Sequence, residues 1–216
     1  MQVYATHTGT KQNLNAMQSA GWRILLTPDT LARNGNCIPN WPDGTPVPYA
    51  LDNGAWGCFQ RGVPFDEQRF LRCVENVGDE ADWIVLPDIV GEGDKSLARS
   101  IAWLPRLPGR VLLPVQNGMT VAQVAPYIGG RVGIFVGGDT EWKLRTLPDW
   151  GRLAREKCAW LHVGRVNTIR RIAMTSAFGA HSVDGTSGTR FAKTIPILDA
   201  ARRRYSLFQW EHPWAA

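Results

Sequence analysis

The sequence predicts a compact (β/α)8 barrel, and three observations point to it. Eight short apolar runs rich in Val, Ile and Leu recur along the 216 residues, as strands buried on both faces do. Segments with helical spacing separate most of them, the alternation that builds a parallel sheet. The repeat averages about 27 residues per unit, near the lower size for such a barrel. A doubly wound open sheet is the competing architecture. No GxGxxG follows the first strand and no GxxxxGK[ST] occurs anywhere, which weakens the nucleotide-cofactor forms of that fold. No internal repeat, low-complexity tract or interdomain linker is visible, so residues 1–216 read as one domain.

The elements follow in order. Strands are expected at Val3–Thr6 and Arg23–Thr27. Residues 28–47, rich in Pro, Gly and Asn, read as a long loop with at most one helical turn. A third strand covers Tyr49–Asp52. Asp66–Val77 has helical spacing: Phe70, Leu71, Val74 and Val77 share a face, and Asp66 and Glu67 sit near its start, where carboxylates suit the helix dipole. The fourth strand is Trp83–Pro87, and the helix Asp94–Leu104 after it opens acidic and carries Leu97, Ile101 and Leu104. Strand Val111–Gln116 precedes helix Thr120–Ile128, and strand Val132–Val136 precedes helix Leu147–Lys157. Strand Trp160–Val163, helix Thr168–Phe178, strand His181–Asp184 and helix Phe191–Tyr205 complete the set.

Composition bounds the function. Hydrophobic residues are 44% and charged residues 20%, enough for a packed core. No apolar run approaches the ~18–20 residues of a membrane span. Met1–Thr10 lacks a basic-then-apolar export pattern, so a cytoplasmic location is expected. The four cysteines, Cys37, Cys58, Cys73 and Cys158, form no CxxC, which argues against a zinc knuckle or a disulfide framework and for reduced thiols. The net charge is +5, and 19 of the 24 basic residues are arginine. The basic surplus lies in the last third, around Arg165, Arg170, Arg171, Arg190, Lys193 and Arg202–Arg204. Clustered arginine suits phosphate; a solvated basic face is the alternative.

Sites in such barrels form at the C-terminal strand ends. There the chain places Asp52-Asn53-Gly54-Ala55-Trp56, Pro87-Asp88, Val115-Gln116-Asn117-Gly118, Val136-Gly137-Gly138, His162-Val163-Gly164-Arg165 and Val183-Asp184 through Arg190. One carboxylate can attack an anomeric carbon while a second acts as acid or base. A carboxylate and an amide can read a purine edge. Each member alone has a plainer meaning. A lone Asp after a strand is more often a turn or cap residue, Gly-Gly is more often a turn, Gln116 can cap a helix, His162 can be a packed histidine beside the site, and Trp56 can pack under a loop. The joint pattern is much harder to obtain by accident.

The order Asp-x-Gly-x-aromatic, apolar-x-Asp, Val-Gln-x-Gly, Gly-Gly, a Val-Gly turn and then Asp before Thr-Arg resembles the tRNA-guanine transglycosylase superfamily. It is most similar to the short phage-type DNA 7-deazaguanine transglycosylases, over about Tyr49–Phe191. The resemblance implies a transferase that exchanges guanine in DNA for a 7-deazaguanine such as preQ0 through a covalent glycosyl-enzyme. It implies Asp184 as nucleophile, Asp52 as the proton-transfer group, and Asp88 and Gln116 as readers of the base. Gly137, Gly138, His162 and Val163 would border the base. Arg165, Arg190 and Lys193 would bind the nucleic acid, with Arg190 near a family arginine. Larger family members hold a structural zinc on Cys-x-Cys-x-x-Cys and a His. No cysteine follows Cys158 and His212 stands alone, so no zinc site and no other cofactor are expected. DNA is the expected partner, in a host cytoplasm if the chain is phage-encoded. A tRNA substrate, a nucleoside or glycoside hydrolase on the same carboxylates, and a DNA-binding module without catalysis are the alternatives.

Overall fold

The computed structural model describes residues 1–7, 10–185 and 191–211, with the backbone alone from 205 on. Eight parallel strands close in chain order into a barrel: β1 (Gln2–Thr6), β2 (Arg23–Leu26), β3 (Tyr49–Leu51), β4 (Ile84–Val85), β5 (Val111–Val115), β6 (Val132–Val136), β7 (Leu161–Val163) and β8 (Ser182–Asp184). β8 returns to β1 with Val183 opposite Val3, which closes the ring. The open-sheet alternative is thereby excluded. None of the helices among the described residues is long and apolar enough to cross a membrane.

The period of two sorts side chains between two cores. Val3, Ile24, Leu26, Leu51, Ile84, Leu113, Ile134, Leu161 and Val183 join the large cluster between strands and helices. Tyr4, Ala50, Trp83, Val85 and Leu112 form a second cluster inside the barrel, with Leu25, Phe135 and Trp160 against it. Both faces of most strands are therefore apolar, which is why they appear in the sequence as nearly continuous apolar runs, while β7 and β8 turn polar residues inward. At the N-terminal end Asp82 closes the interior: it accepts from the Tyr4 hydroxyl at 2.9 Å and pairs with Arg23.

The helices follow their caps. Asp66 accepts from Arg69 N and starts α4 (Glu67–Val77), which buries Phe70, Cys73, Val74 and Val77. Between these strands run α1 (Lys11–Ser19), α2 (Pro28–Arg33), α3 (Ala55–Arg61) and α5 (Gly93–Trp103). The rest are α6 (Val121–Val124), α7 (Thr140–Glu156), α8 (Ile169–Ala177) and α9 (Thr194–Glu211). Four differ from the sequence reading. α1 has only Leu14 and Met17 as large buried residues, too weak a stripe to stand out. α3 starts directly from the turn after β3, and α2 makes the region 28–47 more helical than expected. α7 starts seven residues before Leu147. Pro148 looks like a first-turn proline, but Asp139 caps the helix through Trp142 N at 2.8 Å, and the chain runs helically through the proline.

Gly133 shows how tightly the interior is filled. A Cβ there would lie 2.5 Å from the Trp160 carbonyl and 2.6 Å from Leu112 Cδ2. Gly133→Ala is expected to destabilise the fold by about 1–3 kcal/mol through overpacking, read as a lower urea midpoint with an unchanged slope.

Candidate active site

The inward positions of β7 and β8 build the centre of the site. Ser182 and Asp184 alternate on β8, and His162 faces them from β7. His162 is fully buried, stacked on Phe135 at 4.7 Å and tilted against Trp83 at 4.6 Å. Its Nε2 lies 3.1 Å from Asp184 Oδ2 and its Nδ1 2.8 Å from Ser182 Oγ. Trp160 Nε1 donates to the same Oγ at 2.9 Å. An ionised Asp184 can only accept, so Nε2 carries the proton. Nδ1 of the neutral ring then accepts from the Ser182 hydroxyl. Every donor in this row points toward Asp184. Burial holds the His162 pKa below its ordinary value, against the pull of Asp184, so a neutral ring is the stable form.

Asp184 lies at the rim, with its side chain 14% exposed. Burial opposes its charge, but the His162 hydrogen bond, the Arg165 N–H at 2.9 Å and the Lys143 charge outweigh burial and lower its pKa. Asp52 behaves in the opposite way. It follows β3, accepts from Gly54 N at 2.7 Å, and is pushed up to about 7 by burial, with the charges of Asp184 and Asp88 adding to the rise. Gly54 makes this turn at φ +80, where a side chain would be strained. Burial also raises the pKa of Asp88, although Asn53 donates to it at 2.9 Å. The three carboxylates are thus brought to one mouth, and one of them is held ionised while the other two resist ionisation.

The other expected site residues divide. The Gln116 amide is fully engaged: Nε2 donates to the Ile89 carbonyl at 2.9 Å and Ser96 Oγ at 2.7 Å, and Oε1 accepts from Gly91 N at 2.8 Å. It ties down the loop that carries Asp88 and has no amide group left to aim at a ligand. Val163 points into the strand–helix layer, so only its backbone borders the site. His162 sits beneath Asp184 and is shielded from any base by burial. Gly137 N bonds the Val115 carbonyl at 2.8 Å, and the Gly138 carbonyl accepts from the Arg165 guanidinium. Arg165 is exposed, and its guanidinium lies 5.0 Å over Trp56. Trp56 is itself 45% exposed and stacks on Phe59, so it does not pack under a loop. Lys193 is exposed just before α9, and Arg190 lies outside the described residues. Arg202 and Arg203 both pair with the buried Asp199; Arg202 is drawn inward by it, while Arg203 stays exposed. Among the described residues no three His, Cys, Asp or Glu side chains group as metal ligands.

Two residues were missed. Asn53 is 4% exposed and joins the ends of β3 and β4: Nδ2 donates to the Leu86 carbonyl at 2.7 Å and to Asp88, and Oδ1 accepts from Ala55 N. Lys143 is 5% exposed on the first turn of α7 and donates to the Gly164 carbonyl. Reading Asp139 as a cap, with Trp142 three residues on, would have placed Lys143 at this end of the barrel.

No protein-family model matches the chain. No curated protein matches it. Among solved structures, one titled "Native KDPGal structure" is similar over 96% of this chain and 97% of its own, with a TM-score of 0.55 and 12% identity. At that identity the likeness is one of fold.

Asp52 also sets a pH dependence of stability. Its folded value of about 7 exceeds the ordinary 3.8, so the native state binds the extra proton between these values. The contribution favours folding at acid pH and is lost as pH rises through about 7. Asp52→Asn is therefore expected to raise the melting temperature relative to the parent more at pH ~8 than at pH ~4, measured by calorimetry in matched buffers.

Proposed function

We propose that this chain is an enzyme, a transglycosylase that replaces guanine in DNA with a 7-deazaguanine base such as preQ0. The observation that carries the reading is the division of protonation between two coupled carboxylates: Asp184 is held ionised and Asp52 is pushed up to about 7. An exchange at C1′ needs that pair. The Asp184 carboxylate attacks C1′, and the C1′–N9 bond breaks with its electrons passing to guanine. The Asp52 proton neutralises the leaving base. Asp52, now a carboxylate, takes a proton from the incoming base, whose nitrogen attacks C1′ and releases Asp184. No electron acceptor is needed.

Asp88 would read the guanine N1–H and 2-amino group, as the resemblance implies. Those donors would bring its raised pKa back down on binding. Gln116 would act by holding the Asp88 loop. The exposed Trp56 and Phe59 offer stacking faces beside Asp52, and Arg165 and Lys193 offer charge for phosphate. The C1′ of a paired guanosine is inaccessible, so the target nucleotide must be extruded or single-stranded. DNA is favoured over tRNA by the resemblance to the short DNA-directed relatives. The same carboxylate pair also suits a hydrolase, in which water replaces the incoming base.

The test is base exchange on duplex DNA, single-stranded DNA and tRNA, each with preQ0, digested to nucleosides and analysed by mass. A deazaguanine deoxynucleoside is expected. Product in tRNA alone overturns the choice of polymer, abasic sites without added base select the hydrolase, and no product on any polymer overturns the reading. Asp184→Asn is expected to abolish exchange with the fold intact. Asp52→Asn is expected to slow it by ~100-fold or more, the usual scale for losing a general acid. Formation of the glycosyl-enzyme should fall as pH rises through about 7, because Asp52 must then start protonated.

A further inference from the structure

Lys143 is a buried ammonium for which the proposed chemistry has no direct use. Burying such a charge is unfavourable by several kcal/mol unless it is compensated. Among the described residues it makes no ion pair; its hydrogen bond goes to a neutral carbonyl, that of Gly164. That carbonyl shares a peptide group with the N–H of Arg165, which donates to Asp184 Oδ1 at 2.9 Å. No peptide bond among the described residues is cis, so the carbonyl and the N–H point to opposite sides. Lys143 and Asp184 therefore face each other across one peptide unit.

We propose that Lys143 is a positioning residue for Asp184, acting through the Gly164–Arg165 peptide: its charge polarises the carbonyl and strengthens the N–H that holds the carboxylate. Hydrogen bonds in series reinforce one another in this way. The local backbone is built for it. Gly164 N is pinned to the Val136 carbonyl at 3.1 Å. A Cβ on Gly164 would come within 3.1 Å of the Phe135 ring and 3.3 Å of Asp184 Oδ2, so glycine permits the close approach. Arg165 is a non-glycine residue at φ 59, a conformation that is unfavourable by about 1–2 kcal/mol. Its guanidinium, fixed on the Gly138 carbonyl and over Trp56, helps to hold that conformation and aims the N–H at Asp184.

The charges around the relay are few. Lys143 faces Arg165 and Arg171, which disfavour its proton, and Asp184 and Asp139, which favour it; burial dominates and sets it at about 8. Asp184 faces His162, Lys143 and Asp52. The coupling does not depend on the reaction assigned above, but its bearing on catalysis rests on that reading.

Carbon-13 NMR of the full chain, with the Asp184 carboxyl assigned by its loss in Asp184→Asn, tests the relay. Lys143→Met keeps the stem and removes charge and donor; Lys143→Gln keeps a donor without charge. The Asp184 midpoint is expected to rise by about one pH unit or more in the Met variant, the usual scale for losing a close opposite charge, and by less in the Gln variant. An unchanged midpoint in the folded Met variant overturns the proposal. A second measurement keeps Lys143 in place. In Asp52→Asn, where the group near 7 no longer contributes, the Arg165 amide nitrogen should titrate in two steps, one with Asp184 and one near 8 with Lys143. A single acid step overturns the proposal. If the midpoint shifts and no base exchange is found, the relay stands and the transglycosylase reading falls. If exchange is found, the acid limb of its kcat profile should move up by about one pH unit in Lys143→Met, following the Asp184 midpoint.

Discussion

A charge at the rim of a tightly packed barrel has to be solvated by the protein, and the arrangement around Asp184 meets that requirement. Below it, Trp160, Ser182 and His162 form a row of donors whose hydrogen bonds all run toward the carboxylate. Beside it, the Arg165 N–H supplies a further donor. The row exists because β7 and β8 pair in register, with His162 opposite Ser182, so that their inward positions meet inside the barrel. Phe135 and Trp83 then exclude water from His162. Loss of any donor would leave a buried negative charge under-solvated, a far larger penalty than the usual net value of a hydrogen bond.

The same burial produces the contrast with Asp52 and Asp88. Both stand near the same mouth and receive fewer donors from the protein. With Asp184 already ionised, a second charge close by is opposed by repulsion as well as by burial. Two similar carboxyl groups are therefore driven toward different protonation states by burial and by one another. Asn53 and Gln116 serve this contrast indirectly, because they fix the two loops on which Asp52 and Asp88 sit.

How far this was legible in the sequence depended on which signal a residue carries. The barrel was legible because strands buried on both faces are short apolar runs, and their count and spacing survive errors of a residue or two at each end. Asp52, Asp88 and Asp184 were legible because polar residues directly after such runs must lie at one rim. Gln116 was placed correctly and its role misread: position along the chain does not say that Ile89, Ser96 and Gly91 will occupy its amide. Val163 shows the same limit, since the inward or outward sense of a three-residue strand is fixed by its neighbours. Lys143 was hidden by Pro148, which mimics a helix start, and α1 was hidden by its narrow apolar stripe.

The buried Asp199 on α9 accepts from Trp22, Arg202 and Arg203, and Arg202 reaches on to the carbonyls of Met1 and Ala20. These bonds tie the last helix to the first strand and its loop, across separations of 177 to 201 residues for Trp22–Asp199 and Met1–Arg202. During synthesis β1 emerges early, with one edge open until β8 arrives. The ring and its clasp are thus the last contacts to form, and contacts of such long range make for slow folding. Until then the edges of β1 and of each newly made strand stay unpaired, a period in which a nascent chain is prone to aggregate. The rim around Asp184 shares this timing, because Asp184 reaches its donors only when β8 docks. A chain released before that point would carry Asp52 and Asp88 in place and still lack the ionised carboxylate.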